Sequence, residues 1–143
     1  MNPALRQRIL SVLTAVALVG IAVVHLRIAD NYKGLGSHPL SLSDQFYAQA
    51  AGGIVLAIAL LVRPHALVWL ASLGFAVASI GAITYSRYKC LPIYGFDGCF
   101  QESWGVEGAK PAAYFEGLAI VLSAIGAALT VPAFLASRKT RTA

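Results

Sequence analysis

Charge is what this sequence has least of. Only 12% of its residues are Asp, Glu, Lys or Arg, against about 25% in a soluble domain whose surface must be solvated. A chain of 143 residues is mostly surface once folded. Its hydrophobic residues, 58% of the total, therefore find no adequate hiding place in a soluble fold. The bilayer is the alternative solvent.

Further absences remove whole classes of function. There is no Ser/His/Asp set, no phosphate-cradling loop and no metal-ligand cluster, so the reading leans away from an enzyme. Catalytic residues are unknown, and no metal or cofactor is expected. A Cys-x-x-Cys is also lacking: Cys90 and Cys99 are the only cysteines, spaced Cys-x8-Cys. Four-helix thiol oxidoreductases of the disulfide-bond B and vitamin K epoxide reductase families work with a close dithiol plus a second pair, which this chain does not offer. Despite a net charge of +5, no basic stripe is interleaved with aromatics, which argues against a nucleic-acid partner. Finally, no Ala-x-Ala follows the first apolar run, so Arg6, Arg8 and that run read as a retained helix rather than a cleaved signal.

What is present is four charge-free windows: Ile9 to Leu26, Gln45 to Val62, Ala66 to Ser86 and Gly117 to Ser137. Each approaches the ~20 apolar residues that cross a hydrocarbon core, and helices satisfy every backbone group internally, as lipid demands. The expected fold is an all-α membrane protein, an up-down bundle of four transmembrane helices. One membrane domain covers residues 1–143, with spans at about 9–28, 45–62, 66–86 and 112–137.

The basic residues suggest an orientation. Arg6, Arg8, Arg63, Arg138, Lys139 and Arg141 fall on one side, without an acidic residue among them. Arg27, Lys33, Arg87, Lys89 and Lys110 fall on the other, together with Asp30, Asp44, Asp97, Glu102, Glu107 and Glu116. The positive-inside rule then places both termini in the cytoplasm of a multi-pass plasma-membrane protein. The two long connections, about residues 29–44 and 87–111, become extracytoplasmic loops. In an oxidising compartment Cys90 and Cys99 pair as a disulfide, which stabilises so short a loop by roughly 2–3 kcal/mol. Pro92, Gly95 and Gly98 supply its turns.

Polar residues inside the spans are the candidates for a site. His25, Gln49, Tyr85 and Glu116 share one depth, just beneath the outer surface. An ionisable residue in a span is costly and faces the bundle interior, so Glu116 with His25 is a candidate ligand, ion or proton-transfer site. The plainer reading lets Glu116 snorkel or pair with Arg27. Ser72, Ser79 and Ser86, with the stripes Gly74/Ala78/Ala82, Gln49/Gly53/Ala57 and Ala119/Ser123/Ala127, read as close helix packing with hydroxyls bonding across. In the first loop, Ser43 or Asp44 is the expected cap of the second helix. In the second loop, Phe96, Phe100 and Trp104 recur every four residues. That spacing fits a short amphipathic helix capping the bundle, and with Glu102 it forms a candidate partner surface.

Val24-His25-Leu26 followed by Tyr32, then Gln45-Phe46-Tyr47 opening an alanine-rich span, and Tyr94-Gly-Phe with Glu102 and Trp104 before the last span together resemble a group of bacterial proteins. These are small four-span integral membrane proteins of actinobacteria. The resemblance implies architecture and no particular activity. The function expected first is a non-enzymatic accessory or assembly component that binds a partner through its outer loops. Its partners would be the bilayer and a membrane protein or a second copy. Two alternatives stand beside it. One is a ligand-binding or redox/proton-transfer protein using His25 and Glu116 beneath a disulfide-braced cap. The other is a small transporter, which the nearness of Glu116 to the outer face disfavours.

Overall fold

Asn2 opens the first helix by accepting a hydrogen bond from the Ala4 amide at 2.9 Å. Pro3 follows at the first helical position, where a missing N–H costs nothing. In the computed structural model, which describes residues 2–139, α1 runs Pro3–Ala29 and ends in a 3-10 turn, Asp30–Tyr32. Then come α2 (Leu42–Val62), α3 (Ala66–Tyr88) and α4 (Ala109–Lys139). Between α3 and α4 lies a small antiparallel ribbon, β1 (Leu91–Pro92) against β2 (Cys99–Phe100). All four helices are long and apolar enough to cross a membrane.

Three helices start earlier than the charge-free windows imply. α1 begins at Pro3, α2 at Leu42 and α4 at Ala109. A hydropathy window finds the apolar stretch alone, whereas Arg6, Arg8, Asp44 and Lys110 are helical too and extend the first turns beyond it. The cap of α2 is Ser41, not Ser43 or Asp44. Its Oγ accepts from the Asp44 amide at 3.2 Å, while Ser43 is buried within the first turn.

Each helix leaves many large apolar side chains exposed and buries its small and polar residues together with a few large ones, Leu18, Ile21, Leu60 and Trp69. On α1, Val12, Val16, Val19 and Val23 are exposed, while Leu10, Thr14, Leu18, Ile21 and His25 are buried. Such an inside-out pattern suits lipid, where association depends on close packing and cross-helix hydrogen bonds. α1 packs against α2 and α4, and α3 packs against α4. α2 and α3 share the slenderest of the side-by-side contacts. Gly53 brings α2 onto α1: a Cβ there would stand 2.9 Å from the Leu18 carbonyl oxygen. Gly126 on α4 likewise yields its side-chain space to the fully buried Trp69 ring of α3. The stripes through Gly53/Ala57 and Ala119/Ser123/Ala127 are thus buried, but Gly74, Ala78 and Ala82 face outward. The inner face of α3 is instead Ser72, Ala76 and Ser79.

The two ends of the bundle differ. At one, the turn end, Gln7 Nε2 donates to the Pro64 carbonyl at 3.1 Å. His65 Nδ1 caps α3 by accepting from the Leu67 amide, and its ring meets Phe134 edge-on at 5.0 Å. Arg6, Arg8 and Arg63 are exposed there. Of the basic tail, Arg138 and Lys139 are described as backbone only, and Arg141 lies outside the described residues. At the loop end both long connections gather, tied by the Ser37 amide donating to the Tyr94 carbonyl at 2.8 Å. They enclose their own apolar cluster of Ile28, Tyr32, Leu42 and Ile93, flanked by Phe46, Phe96 and Phe100.

Candidate functional site: a cavity beneath the loop-end cap

The segment over 96–104 is not helical. Gly95 sits at φ +71°, in the left-handed region, and a Cβ there would collide with Ser37. The chain turns back so that Leu91 lies opposite Phe100 and Pro92 opposite Cys99. Cys90 and Cys99 form a disulfide with Cα atoms 5.2 Å apart. Phe96, Phe100 and Trp104 therefore do not share a helix face: Phe96 and Phe100 pack inward on the loop-end cluster, and Trp104 lies against Arg87.

Arg87, the last basic residue of α3, anchors the roof. Its side chain is 2% exposed and sits 3.1 Å from Glu102 Oε2, and Nη1 donates to the Ser103 carbonyl at 2.7 Å. The guanidinium carbon lies 4.6 Å from the centre of the Trp104 ring. The Tyr32 hydroxyl donates to the other carboxylate oxygen of Glu102, and the Glu102 amide donates to the Ser86 carbonyl at 3.1 Å. One ion pair thus binds the ends of α1 and α3 to the second connection. Glu102, expected on a surface, is held inside.

The floor is built two helical turns deeper on α3. Gln49 Nε2 of α2 donates to Ser79 Oγ of α3, and Ser79 Oγ donates to Glu116 Oε1 of α4. Glu116 is 1% exposed. Its Oε2 is buried without a hydrogen-bond partner, and no ion pair reaches it among the described residues. It neither snorkels nor pairs with Arg27, which is exposed.

Between roof and floor, where α2 and α3 touch least, lies a cavity of about 90 Å³. Phe46, Ile83, Leu91 and Phe100 give it apolar walls, and Gln45, Gln49, Ser79, Ser86 and Glu102 give it polar points. At roughly 30 Å³ per liquid water it has room for a few waters or a small organic group. No Lys, Arg or His lines it.

Two expected members of the site stand elsewhere. His25 Nδ1 bonds the Ile21 carbonyl at 2.8 Å within its own helix, and its ring packs edge-on against Phe46 at 5.4 Å. No hydrogen bond or ion pair joins it to Glu116 among the described residues. Tyr85 is 51% exposed and turns away from the bundle. Gln49 and Glu116, placed at one depth by the sequence, are linked through Ser79. No protein-family model matches this chain, and neither a curated protein nor a solved structure resembles it significantly. The likeness to small actinobacterial four-span proteins therefore rests on its short motifs alone.

Sequence reasoning missed Ser79 as the link, Phe46 as a cavity wall and Arg87 as a buried ion-pair partner. The seven-residue spacing of Ser72, Ser79 and Ser86 was the available signal for the first. For Arg87 the signal was a lone basic residue one position after that stripe. Among the described residues, no three His, Cys, Asp or Glu side chains come together as metal ligands would.

Proposed function

We propose that this chain is an integral plasma-membrane protein that binds a small ligand without transforming it, in the cavity between α2 and α3. In this reading the bundle runs up-down with both termini cytoplasmic, and the two long connections are extracytoplasmic. The exposed arginines of the turn end support that orientation. A reporter enzyme active only outside the cytoplasm should be silent when fused after residue 143 and active when inserted at Gly34.

One observation carries the ligand-binding reading: a cavity with apolar walls whose polar points include Gln49 and Ser79, the first two members of a hydrogen-bonded chain that runs on to Glu116 behind the lining. A concave apolar site with a few convergent polar groups is what ligand sites share. Native mass spectrometry after mild-detergent extraction should show a small bound mass on the wild type. Ala112→Leu, which fills the cavity from α4, should abolish it. An identical adduct on both proteins, or on neither, would reject the reading.

A partner-binding accessory role is the second reading. Phe96, Phe100 and Glu102 are committed inward, which removes most of the docking anchors. Exposed Tyr88, Tyr94 and Trp104 remain to favour it. Replacing all three by Ser would then release a co-purifying membrane protein while leaving the small adduct in place.

A further inference from the structure

The residues that line the α2/α3 cavity also restrict what it holds. Resting on the cavity reading, we infer that its ligand is an uncharged, hydroxyl-bearing amphiphile that enters from the bilayer. The hydroxyl seats on the Gln49 side chain, and the apolar body lies between Phe46, Ile83, Leu91 and Phe100.

Charge sets the class first. Among the described residues no Lys, Arg or His lines the cavity, so a carboxylate or phosphate meets no counter-charge there. Glu102 is the one ionisable lining residue, and it is already answered. Arg87 stands 3.1 Å from one of its oxygens, and the Tyr32 hydroxyl donates to the other. A cation therefore finds no unmatched charge either. An ion without a partner is expensive to bury in an apolar chamber, and an uncharged ligand avoids that cost.

The direction of the hydrogen bonds sets the polar group. Ser79 Oγ gives its hydrogen to Glu116 behind the lining, so it accepts from Gln49, whose NH2 is turned toward it. The Gln49 carbonyl oxygen has no partner among the described residues. The buried unpartnered oxygens of the bundle are those of Ser11, Glu116 and Ser123, so the Gln49 oxygen is open where the Glu116 carboxyl is closed. Ser86 gives its hydrogen to the Ile83 carbonyl at 2.8 Å, and Gln45 gives one amide hydrogen to the Leu40 carbonyl at 3.0 Å. Acceptors are thus left in surplus at the cavity, with one N–H on each amide. A hydroxyl, which both donates and accepts, matches that set, whereas an ether or ketone has no hydrogen to give.

The mouth sets the route. Of the lining residues, only Gln45 of α2 and Ala82 of α3 are exposed. They flank the seam where these two helices share their slenderest contact, and both helices are long and apolar enough to cross a membrane. The cavity therefore opens sideways between two spans. Its volume of about 90 Å³ takes the hydroxyl and the first few carbons, and the rest of a longer chain leaves along the seam. Phe46 is steadied by edge contacts from His25 at 5.4 Å and Tyr32 at 4.9 Å, so His25 positions a wall.

The test uses the full chain in phosphatidylcholine nanodiscs and photoreactive probes of one chain: 1-dodecanol carrying a diazirine near the hydroxyl, its methyl ether, and the matching carboxylate and ammonium. Labelled peptides are located by mass spectrometry. The alcohol should label α2 and α3 at the cavity saturably, with about tenfold higher affinity than the ether, the worth of one hydrogen bond, and the two ions should label least. Gln49→Met should bring the alcohol down to the level of the ether. Ala82→Trp, at an exposed position, should close the mouth and abolish labelling with the fold intact by circular dichroism. Equal labelling by all probes, or an alcohol preference that survives Gln49→Met, would overturn the ligand class and leave the cavity reading standing. Unlabelled 1-dodecanol should displace the probe at lower total concentration than 1-hexanol; equal displacement overturns the bilayer route. Should Ala112→Leu leave all labelling unchanged, the probes bind elsewhere and the cavity reading falls with the class. No saturable labelling by any probe overturns the class, and the native adduct then decides the cavity alone.

Discussion

Two carboxylates sit at the same end of this bundle and are treated in opposite ways. Glu102 in the roof receives the Tyr32 hydroxyl on one oxygen and faces Arg87 across the other. Glu116 in the floor receives a single serine hydroxyl and has its second oxygen empty. The α3 residues that hold them, Arg87 and Ser79, are a little over two turns apart, about 12 Å of helix rise. Both carboxylates are costly to bury. The roof offsets the cost from within the protein, and the floor does not. The roof also leaves Arg87 Nε and Nη2 buried without hydrogen-bond partners, so what separates the two carboxylates is the counter-charge and not complete hydrogen bonding.

The comparison can be broken by mutation. The largest effect belongs to Arg87→Ala, which leaves Glu102 buried without its counter-charge. It should cost about 3–5 kcal/mol in unfolding free energy, measured by titration from mild to denaturing detergent. Adding Glu102→Gln should recover part of the loss, because it removes the orphaned charge. Cys90→Ser with Cys99→Ser, which opens a loop of separation 9, should cost about 2–3 kcal/mol. It should also make the second connection more sensitive to protease than the first. Tyr32→Phe removes one hydroxyl from Glu102 while keeping the ring against Phe46 and Phe100, and should cost about 1 kcal/mol. Smallest is Glu116→Gln, expected within ~1 kcal/mol of wild type, since Gln keeps the side chain's shape and its oxygen can still accept from Ser79. Should this last variant prove as damaging as Arg87→Ala, the floor is structural and the contrast between the two carboxylates disappears.

The four helices were legible because bilayer thickness leaves a one-dimensional signature, a run of apolar residues of one length. The loop-end site was only half legible. Helical position gives the depth of a side chain, so His25, Gln49, Tyr85 and Glu116 could be placed on one level. It does not give the azimuth, and the neighbours of each helix decide whether two residues at one depth meet. Tyr85 faces outward for that reason, and His25 meets Phe46 instead of Glu116. Ser79 looked like a packing hydroxyl because its partners come from two other helices. Phe96, Phe100 and Trp104 have helical spacing, yet the glycines among them and the Cys90–Cys99 closure favour a turned-back ribbon. Arg87 counted in the sequence only among the basic residues of the loop side, since its burial depends on a loop that returns 15 residues later (102 against 87).

The floor chain also has a temporal meaning. Its bonds span 30 and 37 residues of sequence, and the tie from Tyr32 to Glu102 spans 70. The extensive helix pairs, α1 with α2 and α3 with α4, are neighbours along the chain and close early, because short-range contacts cost the least entropy to form. The cavity has no early version. A nascent chain ending after α3 possesses Gln49 and Ser79 but no acid behind them, and a roof without Glu102 leaves Arg87 bare. The cavity is complete only once the fourth helix docks, because Ala109 and Ala112 of α4 line it.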